Sequence, residues 1–183
     1  MVSLACVGKL SADEGLIRKI GRKALEYDKH SGCSQSVLLS LQDGLGIGDQ
    51  ESFKAATVLS GGIARRGETC GAVIGALMAL GLVAGREKIE DTEQYRRAME
   101  PAKEICDRFK ERMEDEFELD KKLESTICRE IQERLYGRSF DLTVKKDYQA
   151  FLDAGGHSDE GCPKVCGIAA QVAAEKILEM RKD

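Results

Sequence analysis

From Thr69 to Gly85 the chain runs 17 residues without a charge. A membrane-spanning helix needs about 20 predominantly apolar residues, and this run is both shorter and rich in glycine. It reads instead as a helix over about Glu68–Leu82, buried on all sides inside a folded domain. Gly71, Gly75 and Ala79 recur at i, i+4 and i+8. They form a smooth stripe that another backbone or a cofactor can approach closely.

The rest of the chain supplies helices to cover that one. Only 5% of the 183 residues are aromatic and none is Trp, so the core must be aliphatic and tightly packed. Two prolines in the whole chain favour long uninterrupted helices. Ser11 and Glu14 stand at the spacing of a capping box, and Leu16, Ile17, Ile20, Ala24 and Leu25 then share a face, giving a first helix that ends near Lys29–Gly32. A second runs from Ser34 to about Asp43, followed by a turn at Gly44–Gly48. A third covers about Gln50–Leu59, and Gly61-Gly62 breaks it. Asp91 to about Glu114 forms a long charged helix, with a kink or break at Pro101. Helical stretches around Cys128 (Leu119–Tyr136) and over Asp141–Asp153 follow. Cys162-Pro163, with proline where N1 would be, launches a final amphipathic helix to about Met180. No strand-period alternation stands out. The expected class is all-α: one domain over residues 1–183, with 1–10 as an N-terminal extension. It is a single-domain bundle of about six to seven helices around a buried Gly/Ala-rich central helix.

Charge and motifs exclude several functions. With 28 basic and 32 acidic residues, a net charge of −4 and no basic tract, a nucleic-acid partner is not expected. His30 and His157 lie far apart, and neither follows a CxxC pair, which excludes c-type haem attachment. No Ser-His-Asp set, P-loop or HExxH motif is present. The opening residues lack the apolar run of a secretory signal, and Leu4-Ala5-Cys6 lacks the hydrophobic stretch that precedes a lipoprotein cleavage site. A reducing cytoplasm, with no membrane association, is the expected location.

Seven cysteines are the anomaly: Cys6, Cys33, Cys70, Cys106, Cys128, Cys162 and Cys166. In a chain of this size an odd count does not suit a disulfide scaffold, and clustered thiols in the cytoplasm point to metal or catalysis. Cys6 and Cys106 read as small buried hydrophobes. Cys33, Cys70 and Cys162 fall at or just before helix starts, beside Gly32, Gly71 and Gly161, and Cys128 falls in the first turns of its own helix. A thiol of pKa about 8.5 needs roughly 2 kcal/mol to ionise at pH 7. A helix N-terminus supplies about 0.3–2 kcal/mol of it. Several thiolates in one pocket require a cation, or else cycle between dithiol and disulfide. Four cysteines suit a [2Fe–2S] or [4Fe–4S] cluster as well as tetrahedral zinc. Cys162 and Cys166 form a CxxxC pair whose sulfurs approach one metal more easily than each other.

At these residues the chain resembles the redox-active family named after its C-GCAxxG-C-C pattern. Cys70-Gly71-Ala72-Val73-Ile74-Gly75 matches the central CGAxxG element, and Gly61-Gly62 through Arg66-Gly67-Glu68-Thr69 resembles its glycine-rich lead-in. Gly32-Cys33-Ser34-Gln35-Ser36-Val37 resembles the first cysteine segment, where Ala is commoner than Ser34. Ile127-Cys128-Arg129-Glu130 resembles the third and Cys162-Pro163-Lys164 the last, so the resemblance runs from about residue 13 to 180. It implies four cysteines acting together: Cys33, Cys70, Cys128 and Cys162, with the added Cys166 as an alternate ligand. Gly32, Gly71, Ala72 and Gly75 would supply supporting backbone. A relative with appended c-type haems is an iron–sulfur protein in this same domain, which tilts the expectation to a cluster, [2Fe–2S] before [4Fe–4S], with zinc or no cofactor as alternatives. The expected function is electron transfer or redox sensing with a redox-protein partner, a homodimer being allowed. Thiol–disulfide exchange led by Cys70, or a structural zinc module, are the competing readings.

Overall fold

The computed structural model describes residues 12–182. The expected extension over 1–10, with Cys6 in it, and the cap at Ser11 lie outside the described residues. Among those described are eight α-helices: α1 Ala12–Asp28, α2 Cys33–Leu45, α3 Gln50–Ala55, α4 Gly71–Ala84, α5 Thr92–Glu116, α6 Cys128–Tyr136, α7 Lys145–Asp153 and α8 Cys162–Met180. A 3-10 turn, Ala56–Leu59, continues α3. The only β feature among these residues is an isolated antiparallel bridge between Thr69 and Ile127. The chain is all-α, with one or two short helices more than expected. No described helix is long and apolar enough to cross a membrane.

Two buried helices carry the core. α4 is the expected Gly/Ala-rich one, packed between α2, α5 and α8. α8 shares the centre, since it touches α1, α2, α4 and α5 and buries Val165, Cys166, Ile168, Val172 and Ile177. Small residues let these helices lie close. A Cβ at Gly75 would stand 2.4 Å from the Ser34 carbonyl oxygen of α2 and 3.0 Å from Val37 Cβ. Gly75 therefore sets the α2–α4 approach.

Local expectations fail where side chains redirect the backbone. α2 runs past Gly44 to Leu45, because Gly44 packs beneath Ile20 of α1, where a Cβ would lie 2.3 Å from Ile20 Cγ1. α5 passes unbroken through Pro101, whose ring joins Ile105, Phe109 and Met113 in one buried i, i+4 stripe. α4 begins at Gly71 rather than Glu68, and α6 at Cys128 rather than near Leu119. In both cases the preceding residues are extended to form the Thr69–Ile127 bridge. α7 begins at Lys145 because Asp141 accepts a hydrogen bond from Thr143 N at 3.0 Å and closes a turn there.

Gly75→Ala should destabilise the fold by about 1–3 kcal/mol through overpacking against α2. Gly81→Ala, where an added Cβ meets nothing within 4 Å, should stabilise it by about 0.5–1 kcal/mol. Chemical denaturation of the two variants side by side checks both signs.

Candidate functional site

The starts of four helices meet at one place, each delivered by a different local device. Ser31 and Gly32, both left-handed at φ 68° and 106°, reverse the chain after α1 and set Cys33 at the first position of α2. The Thr69–Ile127 bridge aligns the next two cysteines. Cys70 N donates to Thr126 O at 2.8 Å and Cys128 N to Glu68 O at 2.7 Å, so α4 and α6 begin side by side. Cys70 is the N-cap of α4, and Cys128 opens α6. Cys162 opens α8, with its N–H on Gly156 O at 3.0 Å and Pro163 next.

Cys33, Cys70, Cys128, Cys162 and Cys166 line a single cavity of about 60 Å³. Gly32 and Ala72 are on its wall. Gly71 lies behind it, where a Cβ would be 2.3 Å from Cys33 Sγ. Gly75 faces α2 and is absent from the wall. Cys106, half-buried on α5, is also elsewhere. All six described cysteines are free thiols.

A left-handed turn forms one side of the cavity. Gly61, Gly62, Ile63, Ala64 and Arg65 have φ of 64°, 70°, 57°, 50° and 63° in succession. Such a conformation costs roughly 1–2 kcal/mol for each residue with a side chain. Hydrogen bonds hold it: Ala64 N to Val58 O at 2.8 Å, Gly67 N to Gly61 O at 3.1 Å and Glu68 N to Gly62 O at 2.9 Å. The turn aims Gly61 N at Cys33 Sγ, 3.4 Å away, and brings Arg65 onto the wall.

Polar and aromatic groups close the other side. Tyr136 Oη donates to Cys162 Sγ and Gln132 Nε2 to Cys128 Sγ, both at 3.7 Å. Gln132 is fixed in turn by Phe140 N, which donates to its Oε1 at 2.8 Å. Phe151 packs edge-on against Tyr136, Phe140 and His157, with ring centres 5.4–5.8 Å apart. Much of the chain's scarce aromatic content thus roofs the thiols.

Burial dominates the electrostatics. Cys33 is pushed up to about 12 and Cys70 to about 11, chiefly by desolvation. The N–H groups of Ala72 and Val73 at the start of α4 pull Cys70 the other way, and nearby Asp28 pushes it further up. Cys128, Cys162 and Cys166 are also driven well above the ordinary thiol range by burial, then by neighbouring sulfurs for Cys128 and by Asp28 ahead of the sulfurs for Cys162 and Cys166. At Cys70 the start of α4 pulls the thiol toward ionisation, but desolvation outweighs it.

Asp28 and His157 were not recognised from sequence. Asp28 is 1% exposed, and neither carboxylate oxygen has a hydrogen-bond partner. His157 Nδ1 lies 3.6 Å from Asp28 Oδ2 and is likewise without a partner. Burial raises the Asp28 pKa, against the pull of the imidazole. Its place as the last residue of α1 adds the unfavourable end of the helix dipole. Both residues line the thiol cavity. The signal for Asp28 was available: it continues the buried Ile20, Ala24 register at i+4.

Among the described residues, no group of three or more His, Cys, Asp or Glu side chains is placed to hold a metal ion. The thiols stand around a cavity rather than closing on one point. A family profile described as "Putative redox-active protein (C_GCAxxG_C_C)" matches residues 31–176, a span that contains every cavity cysteine. No curated protein and no solved structure matches the chain.

With thiol pKa values raised on folding, the unfolded chain releases protons first as pH rises. Stability of the chain carrying no bound group is therefore full below about pH 8.5 and falls from there toward pH 12. Denaturant titrations at pH 7, 9 and 10 should show the decline, and Asp28→Asn should be more stable than the parent at pH 7. Stability that rises between pH 9 and 10 would refute the buried-thiol account.

Proposed function

The chain belongs to the C_GCAxxG_C_C family of redox-active proteins, and on that footing we propose that its thiol cavity holds an iron–sulfur cluster for electron transfer or redox sensing. Cys33, Cys70, Cys128 and Cys162 would be the ligands, with Cys166 as the alternate fourth. One observation carries the reading: thiols from the starts of four separate helices line one cavity that also contains an unpartnered, buried carboxylate. Such a site gathers more latent negative charge than Arg65 on its wall can offset. Iron would supply it, allowing thiols that burial holds neutral to bind as thiolates.

The donor set fits this group in kind and number. When bound, an iron–sulfur cluster supplies one-electron transfer at a potential set by charge, burial and hydrogen bonds to sulfur. The chain provides each of these controls. The Gly61 N–H on Cys33, Gln132 on Cys128 and Tyr136 on Cys162 give hydrogen bonds to sulfur. Phe151 and its aromatic neighbours restrict water, and Asp28 adds negative charge beside the ligands. An electron-carrying protein partner and a reducing compartment such as the cytoplasm belong with this reading.

The alternatives have weaker support. A thiol–disulfide enzyme needs a ready thiolate, whereas burial pushes every cavity thiol the other way. Structural zinc draws four donors to within about 2.3 Å of one point, whereas the cysteines here line a cavity of about 60 Å³.

Anaerobic, iron-replete expression should give coloured protein with iron and acid-labile sulfide, and dithionite should bleach its visible absorption. Cys33→Ser, Cys70→Ser and Cys128→Ser should each lower bound iron at least fivefold, while Cys106→Ser leaves it unchanged. Comparing Cys162→Ser with Cys166→Ser identifies the fourth ligand. A colourless, iron-free protein from that preparation would end the proposal.

A further inference from the structure

A second concavity of about 410 Å³ adjoins the thiol cavity, and Arg65 lines both. Arg65, Arg66 and Arg129 contribute to its wall, together with Ser139, Asp141 and Thr143. Its volume is in the range of small-ligand sites, about 300–1,000 Å³. We infer that this pocket binds a small anion carrying at least two phosphate or carboxylate groups, gripped by the three guanidinium groups.

The charges in and around the pocket leave room for such a ligand. Asp141 is the one acidic residue on the wall, and its Oδ1 already accepts from Thr143 N and Thr143 Oγ1. Arg129 pairs with Glu68 at 3.0 Å, but both side chains are about half exposed. An exposed pair of this kind contributes roughly 0–1 kcal/mol and yields readily to a better acceptor. Arg65 and Arg66 are exposed, and neither forms an ion pair with a carboxylate among the described residues. Guanidinium forks bind phosphate and carboxylate oxygens in two-point fashion.

The backbone also fixes where these groups point. Arg65 ends the left-handed turn, and its guanidinium lies over the Tyr148 ring, 4.9 Å from the centre. Arg129 is the second residue of α6, directly after Cys128, and its N–H is tied to Gly67 O at 3.2 Å. Holding the donors in advance lowers the ordering cost of binding. A concave site of this size suits a small molecule better than a protein face. Because Arg65 is shared, an anion bound here lies next to the thiol cavity. Binding itself does not depend on what the thiol cavity holds.

Isothermal titration of the full chain with pyrophosphate and with citrate tests the inference. Pyrophosphate or citrate should bind, and Arg66→Ala and Arg129→Ala should each weaken the tighter of the two at least tenfold. Arg96→Ala on α5 should change it less than twofold. Preference for pyrophosphate assigns phosphate, and preference for citrate assigns carboxylate. Amide hydrogen exchange of the unmutated protein gives a readout free of folding defects, with slowing expected at 61–67 and 139–143 when the anion is added. Binding of neither anion, equal loss in Arg96→Ala, protection confined to other segments, or binding only to an acidic polypeptide such as polyglutamate would overturn it.

Discussion

Desolvation of sulfur is the constraint on which the rest of this structure turns. Five thiols and a carboxylate face one small cavity, against which the described residues set Arg65 on the wall and His157 3.6 Å from the carboxylate. Burying so much latent negative charge is tolerable only while the thiols stay protonated or while a positively charged group is present. The raised thiol pKa values and the orphaned oxygens of Asp28 are two consequences of the same shortage.

The fold achieves that burial by making four helices begin at the cavity, while the end of α1 brings Asp28 to it. Cys70 then meets the N–H groups of Ala72 and Val73 in the first turn of α4, which soften the charge that desolvation penalises. Bringing four helix starts together leaves their connecting segments crowded, and the chain uses unusual backbone there. The left-handed run from Gly61 to Arg65 and the lone bridge between Thr69 and Ile127 are both connection geometry. Strain of this kind persists where surrounding hydrogen bonds over-determine it, and it gathers at sites with a function. Here it fixes both a donor to Cys33 and the direction of Arg65.

Much of this was legible in the residue pattern. The uncharged run with glycine at i and i+4 revealed α4, and glycine beside Cys33, Cys70 and Cys162 marked three of the helix starts at the cavity. Cys106 was set apart in the same reading and lies off the cavity, whereas Cys166, inside α8, was given only as an alternate to Cys162. Less was visible wherever a distant partner decides. Gly44 looks like a turn until Ile20 is set over it. Pro101 looks like a break until its ring is found in the buried stripe of α5. Leu119–Ile127 looks helical until Thr69 arrives to pair with its end.

Local rules act over a few residues, so the sequence alone determined the helical class, the periodic core faces and the places of Cys33, Cys70 and Cys162 at or beside helix starts. Capping, periodicity and the i, i+4 neighbour relation need no knowledge of the rest of the chain. The sharing of one cavity by those thiols, the sign of their pKa shifts, and the recruitment of Asp28, His157 and Arg65 were decided by tertiary structure. Desolvation depends on every atom that packs nearby, and those atoms come from segments far apart in the chain.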